Sequence, residues 1–198
     1  MQRRHFILKT AASFAATGLA LSGCSSTTTG TVTPKEAAAT DKRRSDLEAA
    51  VDTSLMRLND TVPGSREVVM KASGVLVFPR VIAAGLLVGG QYGEGTLRIK
   101  NKTVDYYNLA SISIGLQAGA QSKALFFLFM TPEALEQFRK SAAWTAGIDA
   151  SVAMLKVGAN GSVDVNSVKG PVVAFALTNA GLMANLSLEG TKITRLKS

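Results

Sequence analysis

The sequence is short of the side chains that most enzymes need. It has one cysteine and one histidine in 198 residues. Both lie near the start, at Cys24 and His5, so every residue after Cys24 is without a thiol or an imidazole. That excludes Ser-His-Asp and Cys-His arrangements, His/Cys zinc sites and internal disulfides from the rest of the chain. The fourteen acidic residues are scattered and show no calcium-loop spacing. Aromatics are scarce at 6%, with one Trp and three Tyr. Few stacking surfaces are therefore available for a nucleic acid, although the formal net charge is +8. No run of about 20 apolar residues is present to cross a bilayer as a helix.

What the N-terminus does contain has the layout of an export signal. Met1 to Lys9 is basic and holds no acid, and an apolar stretch follows from Ala11 to Leu21. It ends in Leu21-Ser22-Gly23-Cys24, which resembles the lipobox of bacterial lipoproteins. There the Cys thiol takes a diacylglycerol, the bond before it is cut, and the new amine is acylated. The expectation is a signal peptide over 1–23, lipid on Cys24, and a flexible Ser/Thr/Gly/Ala-rich tether over 24–40. Arg3-Arg4-His5-Phe6-Ile7 also resembles a twin-arginine signal, with the expected Lys one place late at Lys9. Ser25, where an Asp would favour the inner membrane, points to the outer membrane and a periplasm-facing domain. Loss of residues 1–23 removes three basic residues and no acid, leaving nineteen basic and fourteen acidic side chains. No cofactor is expected, and export argues further against nucleic acid.

One domain is expected over 41–198. Leu47, Val51, Leu55, Leu58 and Val62 fall at helical spacing. Pro63-Gly64 breaks that helix, and Ser65 would cap a second through Ala72. From Val75 the pattern turns to strands. Val75–Phe78 is a short apolar run stopped by Pro79, and Leu97–Lys100 and Val104–Tyr107 form a hairpin turning at Asn101-Lys102. Ser111–Ile114 alternates, and Leu125–Met130 is continuously apolar, as in a buried central strand. Thr131-Pro132-Glu133 opens a short helix to Lys140. Val163 and Val165 alternate with polar residues, an apolar run follows Pro171 to Leu177, and Leu182, Ala184, Leu186 and Leu188 alternate again. The fold class is α+β: a curved antiparallel sheet or barrel-like core, with helices at its N-terminus and one short helix inserted later. Trp144, Phe126, Phe127 and Phe129 read as core.

Several blocks carry a family resemblance. Lys71-Ala72-Ser73-Gly74-Val75-Leu76-Val77-Phe78-Pro79-Arg80 is followed by the glycine-rich Gly85 to Gly95. The pattern continues in Ile114 to Gln121 and Asp149-Ala150-Ser151-Val152-Ala153, and closes in Ala180 to Gly190. In this order, over about 64–195, they resemble a SYLF (Ysc-type actin-binding) domain. Two segments depart from the family pattern. Tyr106-Tyr107-Asn108-Leu109 stands where a Trp-Ser-x-Pro is usual, and Met154-Leu155-Lys156-Val157-Gly158 replaces a Gly-Pro-x-Gly-Arg. The resemblance implies phospholipid binding without catalysis. Actin, bound by some eukaryotic members, is not expected as a partner in a periplasm.

Candidate headgroup contacts are the cations. Lys42, Arg43 and Arg44 lie on the first helix, but residues 24–74 are balanced at seven basic and seven acidic. Residues 75–198 carry twelve basic and seven acidic side chains. Arg98, Lys100 and Lys102 gather on one hairpin, and Lys192, Arg195 and Lys197 near the C-terminus. If these share a face they form a headgroup patch; otherwise they are ordinary edge lysines that discourage aggregation. The glycines of 85–95 have no phosphate-loop order and fit bulges and close backbone approaches. The alternative to lipid binding is an envelope-assembly protein that binds a protein partner. A third reading, an enzyme acting on envelope lipid, would rest on Glu94, Asp149 or Glu189.

Overall fold

A computed structural model describes residues 34–85, 88–114, 121–154, 162–163, 168–179, 181–183, 188 and 190–196. The signal segment, Cys24, Val165, Ala184, Leu186, Glu189, Lys197 and all of 115–120 and 155–161 lie outside the described residues.

Helix α1 spans Pro34–Thr61. It begins seven residues before the expected boundary, inside the segment read as tether. Its apolar stripe behaves as the spacing predicts: Val51 and Leu58 are fully buried and Val62 nearly so, with Leu55 partly buried against the same cluster. Helix α2 covers Ser65–Lys71. Ser65 is not its cap. Gly64 holds that position at φ +85°, without a side-chain cap, because the chain must reverse there against Val163. A Cβ on Gly64 would stand 2.1 Å from the Val163 carbonyl oxygen. Ser65 is instead buried, its hydroxyl donating to the Leu58 carbonyl at 3.3 Å.

The nine strands among the described residues form one sheet that curls into a half-barrel. They are β1 (Gly74–Gly85), β2 (Val88–Ile99), β3 (Lys102–Ile114), β4 (Gln121–Phe129), β5 (Ala143–Thr145), β6 (Val152–Met154), β7 (Val172–Thr178), β8 (Gly181–Met183) and β9 (Lys192–Arg195). The order is β5-β9-β3-β2-β1-β4-β7-β6, with β8 also paired to β7. The sheet is mixed rather than purely antiparallel, because β6 runs parallel to β7 at one edge.

Pro79 does not stop β1. The strand passes through it on a bulge: Val77 pairs with Thr96 and Arg80 with Glu94, so β1 carries one residue more than β2 over that stretch. A proline cannot donate to a ladder, and a bulge is where a sheet tolerates one. The β2–β3 turn falls on Lys100-Asn101, one residue earlier than expected, with φ +49° and +63°. These left-handed values match the tight turn that suits the twist of a hairpin.

The sheet buries both faces. On one, Leu125, Phe127 and Phe129 of β4 join Leu76, Phe78, Leu97, Tyr107 and Ile193 beneath helix α3 (Pro132–Lys140). Phe138 of α3 meets Trp144 edge-on at 5.6 Å, and Trp144 meets Phe127 in the same way at 6.1 Å. On the other face, Phe126 and Leu128 of β4 join Val77, Phe175 and the stripe of α1. This explains why β4 is apolar without alternation: each successive side chain enters a different core. Thr131 caps α3 as its sequence implies, its hydroxyl accepting the Ala134 N–H at 3.2 Å.

Candidate functional site

The expected headgroup cations do not share a face. The first group sits on α1 where the helix crosses β2 and β3. Lys42 pairs with Asp46 one turn on, at 2.9 Å, largely in solvent. Arg43 pairs with Glu94 at 2.9 Å, and the Tyr92 hydroxyl donates to the same carboxylate oxygen at 3.0 Å. The Arg44 guanidinium lies 5.0 Å from the centre of the Tyr106 ring, within cation–π range. Tyr106 donates in turn to Glu48 of α1. Its hydroxyl pKa is pushed up to about 12, first by burial and then by the Glu48 carboxylate. Arg43 and Arg44 therefore dock the helix to the sheet, around a hollow of about 210 Å³.

Arg98 was expected on an exposed hairpin surface, and the structure corrects this. Its side chain is 9% exposed, on the face covered by α1, where it pairs with Asp52. Its second guanidinium nitrogen lies 3.4 Å from the Glu48 carbonyl, and its Nε has no hydrogen-bond partner among the described residues. Alternation along β2 placed Arg98 on one face, but only the packing of α1 reveals that this face is covered. Arg195 is also committed. It donates to the Arg139 carbonyl at 2.5 Å and shares Asp105 with the Arg139 side chain, each guanidinium 3.8 Å from the carboxylate. It thus ties β9 to α3.

Lys100, Lys102 and Lys192 remain exposed, without an ion pair among the described residues. They stand apart. Lys192 pairs with Ala110, eight residues along β3 from Lys102, or roughly 26 Å at the rise of a strand. The free cations near the hairpin are joined by one that sequence reading missed, Arg66 of α2, exposed and unpaired among the described residues. Only the Pro63-Gly64 reversal, which folds α2 back beside the hairpin, brings it there. Arg66, Arg98 and Lys100 line a cavity of about 470 Å³, whose other walls include Leu55, Val69, Met70 and Val75. A second cation missed from sequence is Lys123, half-buried at the mouth of the apolar β4, where burial lowers its pKa. Of the carboxylates considered for catalysis, Glu94 is held by Arg43 and Tyr92, and Asp149 accepts the Thr145 N–H at 2.5 Å.

The sheet and its cover helices define an α+β half-barrel with a cationic hollow at one end. A family model described as Ysc84, Las17-binding protein actin regulator, matches residues 110–198, a little under half of the chain. The SYLF-type resemblance is therefore borne out over that segment, from the end of β3 onward. Lys192 and Arg195 lie inside the matched segment, whereas α1, Arg66 and the hairpin cations precede it. No match was found among curated proteins.

Proposed function

We propose that this is a lipid-anchored, periplasm-facing binding module of the outer membrane, held by acylated Cys24, whose domain contacts anionic phospholipid without catalysis. The observation that carries the reading is the end of the molecule where Arg66, Lys100 and Lys102 stand exposed and unpaired among the described residues. Each cation near an anionic surface contributes about 1 kcal/mol. The domain's match to a family that the resemblance links to lipid adds support.

The position of this end matters. Helix α1 runs from Pro34, past Glu94 at Arg43, to the hairpin end at Leu55 and Asn59. Its 28 residues span roughly 42 Å at 1.5 Å per residue. Arg66, Lys100 and Lys102 thus lie far from where the tether enters the domain, which suits contact with a second lipid surface. Anchoring itself needs no help, since several acyl chains hold a protein firmly.

The test is co-sedimentation of a soluble chain lacking residues 1–24 with vesicles, with and without anionic lipid. Pelleting that requires anionic lipid and fades with salt supports the reading, and no pelleting at low salt refutes it. One observation favours the second reading, an envelope protein with a protein partner. Ile82, Tyr92 and Ile112 are 47%, 50% and 80% exposed. Ile82 pairs with Tyr92, and Ile112 with Gly90, so all three share one face of the sheet. Crosslinking in the envelope to a single dominant protein, with no affinity for vesicles, would select it.

A further inference from the structure

We propose that the cavity between α1, α2 and the β2–β3 turn is a site for one phosphate monoester bearing an apolar arm, the chemistry of a phosphatidate-type lipid headgroup. This rests on the lipid reading above for the source of the ligand, and deepens it from a surface attraction to a stoichiometric site.

The volume, about 470 Å³, falls within the range of small-molecule sites. Its charge is specific. Arg66, Arg98 and Lys100 line it, and among the described residues the only carboxylate paired with any of them is Asp52, on Arg98. Two positive charges are left uncompensated. A phosphate monoester with a second pKa near 6 approaches two negative charges at neutral pH, whereas a phosphodiester or a carboxylate carries one.

Arg98 gives the independent sign of an unfilled role. A guanidinium presents its N–H groups in a rigid fork suited to phosphate. This one is nine-tenths buried, has Asp52 on one arm and the Glu48 carbonyl 3.4 Å from the other, and among the described residues leaves Nε without an acceptor. A buried donor left unpaired is costly, and an oxyanion entering beside it would draw the fork toward itself.

The remaining walls explain the arm. Leu55, Val69 and Val75 form an apolar side, and Met70 is 69% exposed at the rim beside the cations. Hydrocarbon next to paired cations fits the junction between a headgroup and its chain. Lys100 and Asn101 reach the cavity from a turn in which both residues have left-handed φ.

The test is native mass spectrometry of the full chain released from non-ionic detergent. It is titrated with dioleoyl phosphatidate, with dioleoyl phosphatidylglycerol as the diester, and with glycerol 3-phosphate as the headgroup alone. Oleate serves as the carboxylate arm. The expected result is a one-to-one complex with phosphatidate, at least tenfold tighter than with the other three. R66A/K100A should weaken it by about tenfold or more, with an unchanged circular dichroism spectrum. M70D should weaken phosphatidate binding, whereas K140A, on α3 and away from the cavity, should leave it intact. Equal binding of diester, oleate and phosphatidate would overturn the charge argument. Equal binding of glycerol 3-phosphate would overturn the apolar arm and assign the site to a free organophosphate. No one-to-one complex, or one indifferent to R66A/K100A, would overturn the site. If vesicle pelleting then persisted, the surface reading would survive the failure of the cavity. A retained one-to-one complex without vesicle pelleting would support the site and refute the surface reading.

Discussion

Replacing Asp52 should destabilise the protein more than replacing Arg98, although the two form a single ion pair. The asymmetry follows from exposure: the Arg98 side chain is 9% exposed and the Asp52 side chain 57%. Asp52→Ala leaves a buried guanidinium whose remaining protein contact is the Glu48 carbonyl at 3.4 Å. Orphaning a fully buried charge costs about 3–5 kcal/mol. Water can occupy part of the space left by a half-exposed carboxylate, so about 2 kcal/mol is expected, in line with a charged hydrogen bond. Arg98→Met removes the charge that needs a partner, fills much of the same space, and returns Asp52 to water. It should cost about 1 kcal/mol or less. The double variant should be more stable than Asp52→Ala alone. Urea unfolding with an unchanged slope gives the comparison. By the scaling for domains of this size, Asp52→Ala should melt about 4–8 °C lower. If Arg98→Met is the more damaging of the two, the charge is a net stabiliser and the reasoning is refuted.

Glycines of the 85–95 segment should divide by their surroundings. A Cβ on Gly95 would stand 2.3 Å from the Val77 carbonyl oxygen and 2.6 Å from Phe78, at the bulge around Pro79. Gly95→Ala should therefore cost about 1–3 kcal/mol by overpacking, while Gly90→Ala, whose nearest neighbour is 4.0 Å away, should change the urea midpoint little. Tyr106 should ionise near pH 12, because burial and then the Glu48 carboxylate raise its pKa. Since the unfolded value is about 10, the native state holds this proton longer. Its contribution to stability is complete below about pH 10 and is lost as pH rises toward 12. Tyrosinate absorbance reads the titration, and Glu48→Gln should move that midpoint down; an unmoved midpoint would contradict the pairing.

Sequence periodicity revealed most of the elements because their burial is local in origin. The α1 stripe, the unbroken apolar β4 and the Thr131-Pro132-Glu133 cap each depend on neighbours in the chain. Pro79 misled because a lone proline ends a strand unless the partner strands accommodate a bulge, and the accommodating Gly95 lies sixteen residues away. The candidate cations were legible as residue types and not as a site. Arg43, Arg44 and Arg195 are taken by Glu94, Tyr106 and Asp105, long-range partners that charge counting cannot assign. Arg98 is covered by a helix forty-odd residues earlier, and Arg66 reaches the hairpin only through the reversal at Gly64.

The central claim, that the hairpin end is the lipid-facing surface, is tested most directly by charge reversal there. Chains beginning after Cys24, carrying either R66E/K100E/K102E or K42E/R43E, are compared with the unsubstituted chain for co-sedimentation with anionic vesicles at low salt. The account predicts that the triple variant no longer pellets while the α1 variant pellets nearly as well as the parent. Pelleting lost in the α1 variant and kept in the triple variant would contradict it.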